Sequence, residues 1–353
     1  MRLAGNLLLF VAVLAISLVV CDLYLQFAGI QTPMETTIDP VLGPAYIPGT
    51  FISRFNEGFF LGSVNAYGYM GPSVSPRREG AERRVLLLGD SYVLGHTVLP
   101  RHYFGRRLEQ ELTGRLGTPV RALNFGKADF NLVNMYHYYS AFAGSFDHDL
   151  ALFFAGEGDL MPARQTVSAL YPFMRLQGDS LVVDVSFRQS GAYGFYRSVE
   201  PLFVRSALLR LGFNTYKMVL RRELLRVVLD KFAPRYDPAV EESREEHGGM
   251  PAGMPRINRV ILRRLAADPR NVLVLQTPLD PEVRAEVDSS RLPVLDLGRY
   301  LEELRAGGED PTYWPVTGMR GHWNHAAHGK IGVFLAGAIL SRGLAGPGTA
   351  PGN

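Results

Sequence analysis

The chain has one cysteine, Cys21, which excludes an intrachain disulfide framework and any Cys-rich metal site. Lysine is almost as scarce: Lys127, Lys217, Lys231 and Lys330 are all there are, and arginine carries nearly all the positive charge. The formal net charge is only +3, and no basic block of the nucleic-acid-binding kind forms, so nucleic acid is not an expected partner. With 47% hydrophobic and 20% charged residues, the composition also excludes a disordered or fibrous chain. Its 353 residues suit one large domain, or one domain carrying an insertion.

What the chain does have, at its start, is an uncharged run. Leu3 to Cys21 contains only Asn6 and Ser17 as polar side chains and follows Arg2. At ~1.5 Å per residue it reaches roughly 28 Å, about one hydrocarbon core. The run therefore predicts a transmembrane anchor over 1–22, with Arg2 inside and the rest of the chain outside the cytoplasm. A cleaved signal peptide is the competing reading, but no small-x-small site follows the run cleanly. Leu18-Val19-Val20-Cys21 is similar to a lipoprotein cleavage site, with Val20 bulky where a small residue is needed.

Residues 23–80 are rich in Pro, Gly and aromatics, and predict a membrane-proximal stalk packed on the main domain. Beyond them, apolar runs at 85–89, 120–124, 149–155, 271–277 and 293–297 have the character of buried parallel strands. Helical spacing occupies 101–116, 131–143, 256–266 and 325–342. This alternation predicts a three-layer α/β/α sandwich over 81–345, built on a central parallel sheet of about five strands. The stretch 163–250 interrupts it as an insertion. A hairpin is expected over 170–188, a helix over 202–230 and a mobile loop over 236–255.

Four short elements lie where such a sheet collects reactive groups, at its carboxyl edge. Gly89-Asp90-Ser91 follows the first strand directly, so Ser91 heads a turn into a helix with its own N–H available to an oxyanion. Leu123-Asn124-Phe125-Gly126 and Gly156-Glu157-Gly158-Asp159 end the next two strands, and Gly321-His322-Trp323-Asn324 precedes the last helix. His322 is of the right type to take a serine proton. His322, His325 and His328 are spaced by three, but no acidic or Cys ligand adjoins them, so neither a metal site nor a cofactor is expected.

In this order the four elements resemble the blocks of the SGNH (GDSL-type) hydrolase superfamily. Asn65-Ala66-Tyr67-Gly68-Tyr69 and the Tyr171-Pro172-Phe173 hairpin are similar to segments of its membrane-anchored bacterial members. The resemblance implies Ser91 as nucleophile and oxyanion donor, Gly126 as a second oxyanion N–H, and His322 as general base and then acid. Asp90 would hold the turn by hydrogen bonds. The implied activity is that of an extracytoplasmic serine esterase or O-acyltransferase, acting on acetyl or other acyl esters of envelope carbohydrate.

Two positions depart from the family pattern. Gly158 stands where an oxyanion Asn is usual, a loss worth ~10²–10³ in turnover. Arg320 and Met319 stand where an Asp would orient the histidine. Asp310 is the first choice for a replacement carboxylate, with Asp296 behind it, and Asn131 or Asn134 are the choices for the missing amide. These departures leave a second expectation open: a catalytically silent domain that binds glycan or scaffolds an envelope complex. Protein partners are not indicated by the sequence.

Overall fold

The computed structural model describes residues 2–28, 34–55, 57–161, 172–220 and 253–344. Helix α1 (Arg2–Phe27) contains a stretch, Ala4–Phe27, long and apolar enough to cross a membrane. Two antiparallel ribbons follow, β1 (Thr36–Asp39) with β2 (Gly43–Tyr46) and β3 (Phe51–Arg54) with β4 (Phe60–Ser63). The expected stalk contains no long periodic element, but it is folded in short pieces.

The main unit begins at β5 (Arg83–Leu88), which runs into the short α2 (Ser91–Leu94), α3 (Phe104–Leu116), β6 (Val120–Asn124) and α4 (Leu132–Ala141). Next come β7 (Leu150–Ala155), α5 (Glu157–Leu160), the hairpin β8 (Phe173–Gln177) and β9 (Ser180–Asp184), and helices α6 (Gly191–Arg205) and α7 (Ala207–Leu220). The chain ends with α8 (Arg256–Ala266), β10 (Asn271–Leu275), α9 (Pro281–Ser289), β11 (Val294–Asp296), α10 (Leu297–Ala306), the minimal ribbon β12 (Tyr313–Trp314) and β13 (Met319–Arg320), and α11 (His325–Ser341).

Five strands pair in parallel in the order β6-β5-β7-β10-β11. Alternate residues point to opposite faces, and both faces are apolar. Leu86, Leu88, Phe153 and Leu273 face α4, α8 and α9, while Val85, Leu87, Phe154 and Val274 face α3, α10 and α11. That double burial is why these strands read as unbroken apolar runs. The order reverses between β5 and β7, and in such sheets the crevice beyond the carboxyl ends at this point is the natural binding place. Ser91 lies at that end of β5.

The helix expected from residue 202 begins earlier, at Gly191, and Ser206 in extended conformation breaks it into α6 and α7. Its expected continuation over 221–230, and most of the loop expected over 236–255, fall outside the described residues.

Candidate active site

Ser91 opens α2 from a turn built for close packing. A methyl group on Gly89 would overlap Val93. Asp90 caps the helix by accepting the Tyr92 N–H at 2.9 Å, and it accepts from Gln276 Nε2 at 3.2 Å across the sheet. Loss of solvent raises the Asp90 carboxyl above its usual range, against the pull of those bonds. Asp90 thus holds the turn. The Ser91 N–H, at the first helical position, has no intrahelical acceptor and finds none among the described residues.

The Ser91 hydroxyl lies 2.8 Å from His322 Nε2. They are 231 positions apart in the chain, and the fold brings them together. On its other side, His322 Nδ1 lies 2.9 and 3.1 Å from the two carboxylate oxygens of Glu57, which also accepts the His322 backbone N–H at 2.6 Å. The histidine side chain is 29% exposed and the carboxylate 12%, so the base is open to a substrate while its partner is shielded. Burial opposes ionisation of Glu57, but the bonds and charge of His322 outweigh it and hold the carboxyl below its usual range.

Glu57 therefore occupies the place for which Asp310 was the first choice. Asp310 instead accepts from its own turn, at Thr312 N and Oγ1, and from Arg320 Nε at 2.9 Å. Asp310 thus pairs with Arg320 and not with the imidazole. Asp296 caps α10 through the Arg299 N–H and pairs with Arg284. Asn131 and Asn134 spend their side-chain oxygens capping α4 against each other's backbone.

Glu57 sits in the turn between β3 and β4. That turn is clamped to the histidine loop at several points. Its carbonyl accepts from Thr317 Oγ1 at 2.9 Å, and Trp314 Nε1–H donates to the His322 carbonyl at 2.9 Å. A side chain on Gly58 would overlap the Trp314 ring, and one on Gly321 would overlap the Glu57 carboxylate. Both glycines are therefore demanded by close approach rather than by backbone angle. The Tyr92 ring packs 4.8 Å from the His322 ring and Trp323 lies buried behind it.

Gly126 is buried against the backbone of Val93 and Leu94, and its N–H donates to Asn124 Oδ1 at 3.0 Å. The resemblance implied this N–H as a second oxyanion donor, and in the structure it is engaged by the Asn124 side chain. Gly158 lies exposed in α5, where Asp159 accepts the Gly156 N–H and Thr277 Oγ1 accepts the Glu157 N–H. The other two histidines diverge: His325 packs on His102 and Trp314, while His328 is buried and accepts the Phe104 N–H at Nδ1. A cavity of about 450 Å³ opens at the opposite end of α2, among Phe60, Met70, Leu94, Val98 and Tyr103; neither Ser91 nor His322 lines it.

No protein-family model matches the chain, and no curated protein does. Solved structures give distant likenesses. A lipase/acylhydrolase from Enterococcus faecalis aligns over 74% of this chain and 96% of its own, at 11% identity and a TM-score of 0.37. A member of the lipolytic G-D-S-L family from Veillonella parvula DSM 2008 aligns over 74% and 100%, at 12% identity and 0.32. The acetyl xylan esterase AlAXEase aligns over 72% and 99%, at 10% identity and 0.32. Likeness this remote carries nothing about activity, so the chemistry has to come from the site.

Proposed function

We propose that the chain is a membrane-anchored serine esterase of the SGNH (GDSL) type whose catalytic line is Ser91, His322 and Glu57. The observation that carries this is the unbroken sequence of contacts: Ser91 Oγ to His322 Nε2 at 2.8 Å, and His322 Nδ1 to Glu57 at 2.9 Å. A serine hydroxyl is a weak nucleophile until a base takes its proton, and an imidazole is a better base when a carboxylate fixes its tautomer and steadies the imidazolium.

In this reading, Ser91 Oγ attacks the ester carbonyl while its proton passes to His322 Nε2. Glu57 keeps the other proton on Nδ1. The carbonyl oxygen gathers negative charge, and the Ser91 N–H is placed to receive it. The tetrahedral adduct then breaks its bond to the alcohol, which leaves with the proton from His322. Water, or a second hydroxyl, next attacks the acyl-enzyme, again giving its proton to His322, and Ser91 is released.

We further propose the finer terms. The anchor is 1–22, segment 23–80 packs on the catalytic domain, and 81–345 carries the site with an insertion over 163–250. The anchor puts the site outside the cytoplasm, and the substrates are acyl, in first place acetyl, esters of envelope carbohydrate. Transfer to a sugar hydroxyl instead of water uses the same steps. A silent glycan-binding domain is disfavoured, because binding alone does not call for an aligned hydroxyl, imidazole and carboxylate.

The test is p-nitrophenyl acetate hydrolysis by the full chain in detergent micelles, together with labelling by a serine-directed fluorophosphonate. Both signals are expected, and both should vanish in Ser91→Ala. An unlabelled, inactive parent protein would overturn the proposal.

A further inference from the structure

Helices α6 and α7 carry several large, exposed apolar side chains. On α7, Leu209 and Tyr216 lie two turns apart and are exposed, Tyr216 by 59%. On α6, Phe195 and Leu202, two turns apart, are exposed by 70% and 57%. Scattered exposed apolar residues are ordinary, but large ones gathered on adjoining helices mark an interaction surface.

Position decides what covers them. The junction of the two helices is fastened to α1 at the point where the uncharged run Leu3–Cys21 ends. Asp22 Oδ1 accepts from Ser206 Oγ at 2.7 Å and from the Leu208 N–H at 2.7 Å, and Gln26 Nε2 donates to the Arg205 carbonyl at 3.1 Å. Asp22 thereby caps α7. If α1 spans the bilayer, Asp22 lies at its boundary, and the apolar stripes begin at the headgroup level. Charge adds to this only at the exposed Arg205, because Arg210 is buried against the Phe203 and Val204 carbonyls and Arg197 is paired with Glu200.

We infer that α6 and α7 lie on the same leaflet from which α1 emerges, with Phe195, Leu202, Leu209 and Tyr216 in the acyl-headgroup boundary. Such helices enter roughly 5–10 Å, held by apolar burial and by attraction of basic residues to anionic lipid. The inference rests on the anchor reading of α1. It goes beyond anchoring by fixing which surface of the catalytic unit faces the membrane.

The test uses the full chain reconstituted in vesicles of phosphatidylcholine and phosphatidylglycerol, with acyl chains brominated either near the headgroup or near their middle. Three variants, Phe10→Trp, Phe195→Trp and Tyr216→Trp, are each compared with the unsubstituted chain, whose Trp314 and Trp323 are buried. Phe10→Trp should be quenched by the deep bromines. Phe195→Trp and Tyr216→Trp should lose roughly half their added emission to the shallow bromines and less to the deep ones, as interfacial residues do. Quenching at residue 10 with none at residues 195 and 216 leaves the anchor standing and overturns the seating. No quenching at residue 10 overturns the anchor reading and this inference with it. Cross-linking between copies through residue 216, without quenching, overturns the inference in favour of a dimer face.

Discussion

Ser91 and Glu57 reach the same imidazole from two regions held in different ways. Ser91 comes from the centre of the sheet, where β5 is paired on both sides and both faces are covered by helices. Its turn is fixed by the Gly89 contact with Val93, by the Asp90 cap and by Gln276. Glu57 comes from a two-stranded ribbon, a unit too small to be stable alone. What steadies the ribbon is a small cluster of Ile52, Phe60, Val64, Met70 and Leu94, in which Leu94 belongs to α2 itself. The helix that Ser91 opens is therefore part of the core that positions the Glu57 carboxylate. Placement of the serine depends on the main fold, whereas placement of the carboxylate depends on docking.

The largest effect that tests this contrast is at Glu57 itself. Glu57→Gln keeps the shape of the turn but removes the charge that stabilises the imidazolium. By analogy with the same change in serine proteases, kcat should fall by roughly 10³–10⁴-fold with KM little altered. Steady-state hydrolysis of p-nitrophenyl acetate measures it. A loss below tenfold would mean that the carboxylate does not serve the histidine. Docking is tested next by Gly321→Ala. The new methyl overlaps the Glu57 carboxylate, which has to move, and a displacement of about 1 Å in a catalytic line costs on the order of 10²-fold. The sheet should be untouched, so Gly321→Ala should lower kcat while leaving the far-UV circular dichroism and the unfolding midpoint close to those of the parent.

This same contrast separates what could be read in the sequence from what could not. The central strands were most legible because burial on both faces leaves long apolar runs: VLLL at 85–88 and LALFFA at 150–155 announce themselves, whereas the edge strand β6 carries the exposed Arg121. Ser91 and His322 were legible because each borders a strand or helix whose start is marked. Glu57 was not, since a carboxylate in a Gly-flanked turn is usually just a solvated turn residue, and its partner lies 265 positions away. Arg54-Phe55-Asn56-Glu57-Gly58-Phe59-Phe60 did hold a hairpin signal, apolar runs around a Gly-containing turn. Helices α9 and α10 were missed for a related reason. They are largely polar, and their starts rest on single caps, Asp280 followed by Pro281 and Asp296.

A smaller effect distinguishes the two regions by pH. His328, buried on α11, is depressed to about 3 by burial first and then by the charges of His325 and His322; His96 is likewise depressed to about 3. Both stay neutral in the folded chain while the unfolded chain takes protons below its ordinary value of 6.5. Their contribution is thus fully present above 6.5 and lost progressively as pH falls toward 3. Glu57 acts in the same direction but at lower pH: its carboxyl is lowered from 4.5, so its share is lost only below that pH. Between pH ~7.5 and ~5 other groups titrate as well, the buried Lys127 at about 7 among them, and the share of His328 alone should be a loss of about 2 kcal/mol in urea unfolding. His328→Leu should start from a different stability and show a shallower fall over the same interval. An unchanged slope would place His328 in contact with solvent.

The smallest expected effect belongs to the carboxylate that the sequence favoured. Asp310 pairs with Arg320 on the surface and closes its own turn through Thr312, and neither bond reaches the imidazole. Asp310→Asn keeps an oxygen for the Thr312 bonds and gives up only the exposed ion pair, worth ~0.2–1 kcal/mol. Turnover should stay within about a factor of two of the parent, because no transition-state interaction is removed. The pair of variants is more informative than either alone. If Glu57→Gln is crippled and Asp310→Asn is not, the orienting charge comes from the docked ribbon. If the order is reversed, the histidine must swing to Asp310 during turnover and the Glu57 contact is a resting arrangement. Equal, modest losses in both would mean that neither carboxylate orients the base, and that the Trp314 bond to the His322 carbonyl holds the loop unaided.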